Sequence, residues 1–148
     1  MTTEIEILLG NWQSLAGLAQ PIRQKVFVQE QGIPADLEYD ELDTFSLHAV
    51  ARIKGEPVGT GRLLPNAYIG RMAVLAPHRR SGVGARLLGE LVRAAIQRGD
   101  PQVELSAQAY VRRFYEAHGF AAEGETYYEA GILHVHMTRA LPNSVLRV

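Results

Sequence analysis

Cysteine is absent from this 148-residue chain, which excludes a disulfide framework, a thiol nucleophile and a thiolate-based zinc site. Charge of one sign is lacking too. Fifteen Lys and Arg stand against 16 Asp and Glu, a formal net charge of −1, without the basic footprint of a nucleic-acid binder. No apolar run approaches the roughly 20 residues that a membrane-spanning helix needs. The first ten residues hold no basic stretch followed by an apolar one, so no secretory signal is expected. Repeats, low-complexity tracts and Pro/Ser-rich linkers are missing as well. What remains is a composition that is 47% hydrophobic and 21% charged, that of a folded chain. The expectation is one soluble, cytoplasmic domain over residues 1–148, able to bury roughly 70% of its unfolded surface.

Hydropathy patterning divides that domain into alternating elements. Thr3 to Leu9 reads as a first strand. Pro21 suits the first turn of a helix whose apolar stripe is Ile22, Val26 and Phe27 and which ends at Gly32 and Pro34. Asp36 to Asp43 is an acidic loop carrying five carboxylates. Leu47 to Ile53 and Val58 to Leu64 flank a Lys54-Gly55-Glu56-Pro57 turn and predict a hairpin, with Ala67 to Val74 as the next strand. Gly84 to Arg98 is the clearest helix: Leu87, Leu91 and Ala95 form one apolar row, Leu88, Val92 and Ile96 its neighbour, and Gly99 the stop. The strand Val103 to Ala107 follows, which predicts a parallel crossover pairing with Tyr68 to Val74. Val111 to His118 reads as a short helix, Thr126 to Glu129 and Ile132 to Thr138 as a closing hairpin, and the tail from Leu141 as frayed. The fold class is mixed α/β.

Chemistry concentrates between the third strand and the long helix, at Arg79-Arg80-Ser81-Gly82-Val83-Gly84. The first amides of a helix have no internal partner, and the dipole places positive charge there. Glycines let that backbone close on an anion, so the place suits a phosphate. Two arginines at a helix N-terminus are unfavourable unless an anion offsets them. A Walker loop is excluded by the missing lysine, and a dinucleotide fingerprint by Leu87 in the place of its third glycine.

The Arg-x-x-Gly-x-Gly run formed by Arg79, Gly82 and Gly84 resembles the pyrophosphate loop of the GNAT superfamily of N-acetyltransferases. Phe114-Tyr115-Glu116-Ala117-His118-Gly119-Phe120 matches a second family feature at the expected distance. Arg23 to Gln31, the acidic loop and Gly131 to Met137 are similar to a bacterial group of small GNAT proteins, the ElaA- and YjcF-like ones. The resemblance implies a central, mostly antiparallel sheet of six to seven strands with one parallel crossover pair and about four flanking helices. It implies acetyl-CoA as co-substrate and no metal. The pyrophosphate would lie on Arg79, Arg80, Ser81, Gly82, Val83 and Gly84. The pantetheine arm would lie on the amides of Met72, Ala73 and Val74, a backbone role that leaves their side chains free to pack. Gln108 stands near the place of a family asparagine that holds that arm, and Phe114 beside it is a cofactor contact or a core residue.

Acetyl transfer to an amine needs a neutral nucleophile, a polarised thioester carbonyl and a proton for the departing thiolate. The family implies direct attack with no covalent enzyme intermediate, and the absent cysteine agrees. Tyr115 is the candidate acid, its phenol able to supply a proton, or else a ring packed under the cofactor. Glu30, at a helix C-terminus where a carboxylate is disfavoured, is the candidate base or a solvated side chain. His48 is a base or a satisfied structural histidine. His134-x-His136 is a weak metal motif or a neighbour of the acceptor site. The acidic loop attracts a cationic amine or is merely solvated; Arg62 and Arg71 pair with it or meet an anionic substrate group. Two readings from different classes stand: an N-acetyltransferase acting on a small-molecule or peptide amine, and a non-catalytic acyl-CoA-binding module. Oligomeric state stays open, with a homodimer through the C-terminal strand as one candidate, and neither nucleic acid nor membrane is expected as partner.

Overall fold

In the computed structural model, residues 4–142 are described, and Thr3, the start of the expected first strand, lies outside them. Seven strands form two antiparallel sheets among the described residues. The first has the order β1 (Ile5–Gly10), β2 (Leu47–Ile53), β3 (Glu56–Leu63), β4 (Ile69–Val74). The second has the order β5 (Gln102–Gln108), β7 (Ile132–Ala140), β6 (Ala121–Glu129). The parallel pair expected between β4 and β5 shrinks to one bridge, Tyr68 with Glu104, where the Glu104 N–H donates to Ala67 O at 3.1 Å. Beyond that bridge the strands part.

β4 also carries a bulge. Its register against β3 slips between Thr60 and Arg62, so Gly61 faces both Arg71 and Met72, and Arg71 takes a positive φ of 51°. Space explains the glycine opposite. A Cβ at Gly61 would lie 2.4 Å from Met72 Sδ and 3.1 Å from Leu91 Cδ1. The bare backbone lets the helix α3 (Val83–Arg98) seat closely on the sheet. Leu87, Leu88, Leu91, Val92 and Ala95 are its buried face, and each of the larger ones contributes about 1.5–3 kcal/mol. Gly99 closes α3 in the left-handed conformation, as expected.

On the opposite side of the first sheet lies α1 (Trp12–Arg23), and here the sequence reading needs correction. Pro21 sits near the end of this helix, not in its first turn. The true start is Asn11, whose side chain accepts the Ser14 N–H at 2.9 Å, and Leu15 and Ala19 extend the buried stripe upstream of Ile22. Proline cannot donate to the four-residue ladder. The chain then runs on as wider π-helical turns over Gln24–Glu30, with Gln31 N–H bonded to Val26 O five residues back. The short helix α2 (Ala35–Glu38) and a 3₁₀ turn (Glu41–Phe45) follow. The helix α4 (Arg112–Ala117) packs against β5 and β6 on the α3 side. The chain end is corrected as well: Leu141 is buried, its N–H donating to Pro101 O at 2.9 Å, while residues 143–148 lie outside the described residues.

Three of the acidic loop's five carboxylates are drawn into an internal network, while Asp36 and Glu41 stay exposed. Arg23, 2% exposed, reaches from α1 to both oxygens of Asp43 (2.9 and 3.0 Å) and to Glu38. Arg62 of β3 donates to Asp43 at 2.8 Å and Asp40 at 2.6 Å. Arg71, from the bulge, donates to Glu38 O at 3.2 Å. His48 Nε2 donates to Asp43 O at 2.9 Å, and burial lowers its proton affinity, so it is a satisfied structural histidine. Three guanidiniums and three carboxylates thus balance within one partly buried network.

Burial alone disfavours the Asp43 carboxylate, but hydrogen bonds and charge from Arg23, then Arg62, outweigh it and hold its pKa below the usual carboxylate range. Such a group stabilises the fold fully above its unfolded pKa of about 4, and that stabilisation is lost as pH falls through the lower folded value. Asp43→Asn leaves two buried guanidiniums underpaired. Urea unfolding at pH 7 should show a loss of about 3–5 kcal/mol, with a shallower fall of stability below about pH 4 than in the parent. Equal stability at pH 7 would contradict this account of the network.

Candidate active site

The turn after β4 delivers the chain to α3 through Arg79, Arg80, Ser81 and Gly82. Arg80 (φ 61°) and Gly82 (φ 89°) both take the left-handed conformation, a backbone pattern that turns successive N–H groups into an anion-binding concavity. No side chain caps α3, and its first turn holds no acidic residue. The positive end of a 16-residue helix is therefore bare. Ser81 Oγ donates to His78 O and pins the loop. Arg80 is exposed and makes no ion pair among the described residues.

Arg79 is differently engaged. Its Nε donates to Val74 O at 2.8 Å, and its two terminal nitrogens fork onto Glu30 at 2.6 and 2.8 Å. Glu30, at the end of the π-helical turns, therefore sits at the turn that leads into α3. The hydrogen bonds from Arg79, aided by its charge, hold the Glu30 carboxylate below its usual pKa despite slight burial. In this arrangement Glu30 is a poor proton acceptor. The sequence could not reveal this, because 49 residues separate the pair.

Past the Tyr68 bridge, β4 has no strand partner on its second side among the described residues. Along Met72, Ala73 and Val74 the backbone groups that do not pair with β3 face the gap, the Val74 carbonyl among them already accepting from Arg79. Phe114 lies at its mouth: an added Cβ at Gly84 would stand 3.4 Å from Phe114 Cζ and 3.9 Å from Val74 Cγ2. Gln108, at the end of β5, exchanges two hydrogen bonds with Gln31 (2.9 and 3.3 Å) and so ties β5 to the π-helical turns. Tyr115 is only 8% exposed, edge-on to both Phe114 and Phe120. Burial, with the charge of Tyr110, pushes its pKa up to about 12, and its hydroxyl has no hydrogen-bond partner among the described residues. A phenol this weakly acidic stays protonated and offers a hydrogen bond.

The second sheet has two unlike faces. Val103, Leu105, Ala107, Val135 and Met137 are buried in the core that α3 shares. Glu104, Ser106, Gln108, His134, His136 and Thr138 face the other way, register-paired across β5 and β7, with Glu123 and Tyr127 of β6 beside them. His136 Nε2 lies 3.1 Å from Glu104, and its Nδ1 3.8 Å from Glu123. Burial, then Tyr127, Glu129 and Glu104, raises the pKa of Tyr68, whose ring stacks with His136. Glu104, Glu123, Tyr68 and Tyr127 went unread in the sequence; the polar alternation of Glu104, Ser106 and Gln108 was the available signal. Among the described residues no group of three or more His, Asp or Glu is placed to hold a metal ion.

A bare helix N-terminus behind a left-handed loop, with an unpaired strand edge leading to it, has a shape suited to an extended, anion-bearing ligand. Comparison with known proteins makes this specific. Residues 18–141 match the model of the acetyltransferase (GNAT) domain. The chain is 38% identical over 122 residues to the uncharacterized N-acetyltransferase YjcF of Bacillus subtilis (80% of this chain, 87% of that one). It is 32% identical over 126 residues to ElaA of Escherichia coli (80% and 82%). A solved acyl-CoA N-acyltransferase from Pseudomonas aeruginosa superposes with a TM-score of 0.80 at 32% identity, over 93% of this chain and all of that one. This chain belongs to the GNAT acetyltransferase family and is an acyl-CoA-dependent acyltransferase.

Gly82→Val puts a β-branched residue at φ 89° on an exposed turn. The loop should relax away from the anion-binding shape, at a cost of about 1–2 kcal/mol on rebuilding it. Calorimetric titration with CoA should then show roughly tenfold weaker binding or worse, with unchanged thermal unfolding. Undiminished affinity would remove this loop from the binding site.

Proposed function

We propose that the chain transfers an acetyl group from acetyl-CoA directly to a primary amine of a small molecule or peptide, both substrates being bound at once. The observation that carries this reading is the parting of β4 from β5 immediately ahead of the uncapped start of α3. A CoA molecule has the matching parts: a pyrophosphate for the loop and an amide-bearing arm that can pair with a strand edge.

In this reading Arg79 to Gly84 hold the pyrophosphate by backbone amides, with Arg80 adding charge. Met72, Ala73 and Val74 present the amides that hold the arm, and one of them, at the bulge, hydrogen-bonds the thioester oxygen. Phe114 and Gln108 border the gap. Holding the reactants together supplies most of the catalysis, since effective molarity contributes several kcal/mol. When bound, acetyl-CoA supplies the activated acyl group. Tyr115 donates a hydrogen bond to the departing sulfur. Burial raises its pKa to about 12, so the phenol is held in its protonated, hydrogen-bond-donating form. The phenol therefore passes a proton on rather than giving one up outright. Glu30 serves as base only where Arg79 has released it for the pyrophosphate; otherwise the pair orders the loop.

Tyr115→Phe removes the hydroxyl and little else. Thiol release from acetyl-CoA, measured across a panel of primary amines, should fall roughly a hundredfold or more, with CoA affinity unchanged. Unchanged release would remove Tyr115 from the chemistry. If the parent protein released no thiol with any amine while still binding CoA, the non-catalytic module would be the better reading.

A further inference from the structure

Resting on the transferase reading above, we propose that His134 is the proton acceptor for the incoming amine, and that the polar face of the second sheet around it receives a basic primary amine. His134 is 7% exposed, and its Nδ1 lies 2.6 Å from the carbonyl oxygen of Ile132. A carbonyl can only accept, so Nδ1 carries the hydrogen and the lone pair of the neutral ring is on Nε2. Nε2 makes no hydrogen bond among the described residues; the nearest charged group is the exposed carboxylate of Glu129, at 3.6 Å. The ring lies nearly parallel to that of Tyr127, 6.1 Å between centroids, and the Tyr127 hydroxyl is in turn hydrogen-bonded to Ser106. A buried imidazole with one nitrogen anchored and the other oriented but unbonded has the form of a base. Two of the other four histidines differ in this respect: His48 spends its Nε2 on Asp43 O, and His136 has its Nε2 on Glu104 at 3.1 Å.

Position supports the assignment. His134 is register-paired with Gln108, at the end of β5 where the gap is open. It stands on the sheet face opposite α3, so donor and acceptor approach the gap from different sides. Glu104, Glu123 and Glu129 make that face acidic, suited to a substrate that arrives as an ammonium ion. Nε2 takes one proton from the ammonium. The nitrogen lone pair forms the C–N bond as the C–S bond breaks. The second proton leaves nitrogen for the departing sulfur through Tyr115, and His134 returns its own to solvent past Glu129. Ammonium plus thioester thus becomes amide, thiol and one released proton.

Two variants test this. His134→Gln fills the space but accepts no proton; His134→Ala leaves room for free imidazole. Thiol release should be measured with primary amines of graded basicity, alongside CoA affinity and thermal unfolding. The expected result is a loss of at least a hundredfold in both variants that grows with amine basicity, because the more basic amines depend most on deprotonation. CoA affinity should be unchanged, and added imidazole should restore His134→Ala but not His134→Gln. A loss that is uniform across the amines and unrescued by imidazole would make His134 a packing residue and overturn the inference while leaving the transferase reading intact. Parent-like activity in His134→Gln would do the same. No release by the parent with any amine would overturn both.

Discussion

The site depends on one constraint: β4 and β5 touch at a single bridge and then separate. A continuous sheet would satisfy every backbone group between them and leave nothing for a substrate to bind. The bulge at Arg71 and Met72 turns β4 away, and Gly61 makes room for it. The polar groups left on the strand edges are unfavourable in isolation. They become an asset where an extended, amide-bearing molecule can lie between the strands and complete their hydrogen bonds.

An open gap of this kind needs rigid walls. The first is held by the ion network, which connects α1 through Arg23, the acidic loop through Glu38, Asp40 and Asp43, β3 through Arg62 and the bulge through Arg71. Buried charge pairs contribute little net stability over an apolar core, but a missing partner is costly, so such a network fixes geometry more than it adds free energy. Arg71 shows this directly. Its strained backbone is retained because its guanidinium is bound to the carbonyls of α2. Across the gap, the paired amides of Gln31 and Gln108 fix the other wall, and Arg79 with Glu30 sets the turn before α3 against the π-helical turns.

What the sequence disclosed was local. The glycine turn Arg79 to Gly84, α3 with its glycine stop, and the turns at Gly55 and Gly131 are each specified within a few residues, and their backbone patterns survive folding. Pro21 misled because its position near a helix end cannot be told from one near a start until Asn11 is seen to cap the helix. The ion network was hidden because Arg23 and Asp43 stand 20 residues apart and Arg71 and Glu38 33 apart. Nothing in either local pattern pairs them, so the acidic run read as a loop open to solvent or ligand. Family resemblance placed Tyr115 and Phe114, whereas the polar face of β5 and β7 needed the strand register to bring Glu104 beside His136.

The claim that the parted strands and the bare helix start form one binding surface for CoA is tested most directly by amide hydrogen exchange. Peptides covering Ile69 to Arg86 should exchange markedly more slowly when CoA is added, while those from β1 and β2 stay as they were. Protection elsewhere, with Met72 to Val74 and Gly82 to Gly84 unaffected, would contradict it.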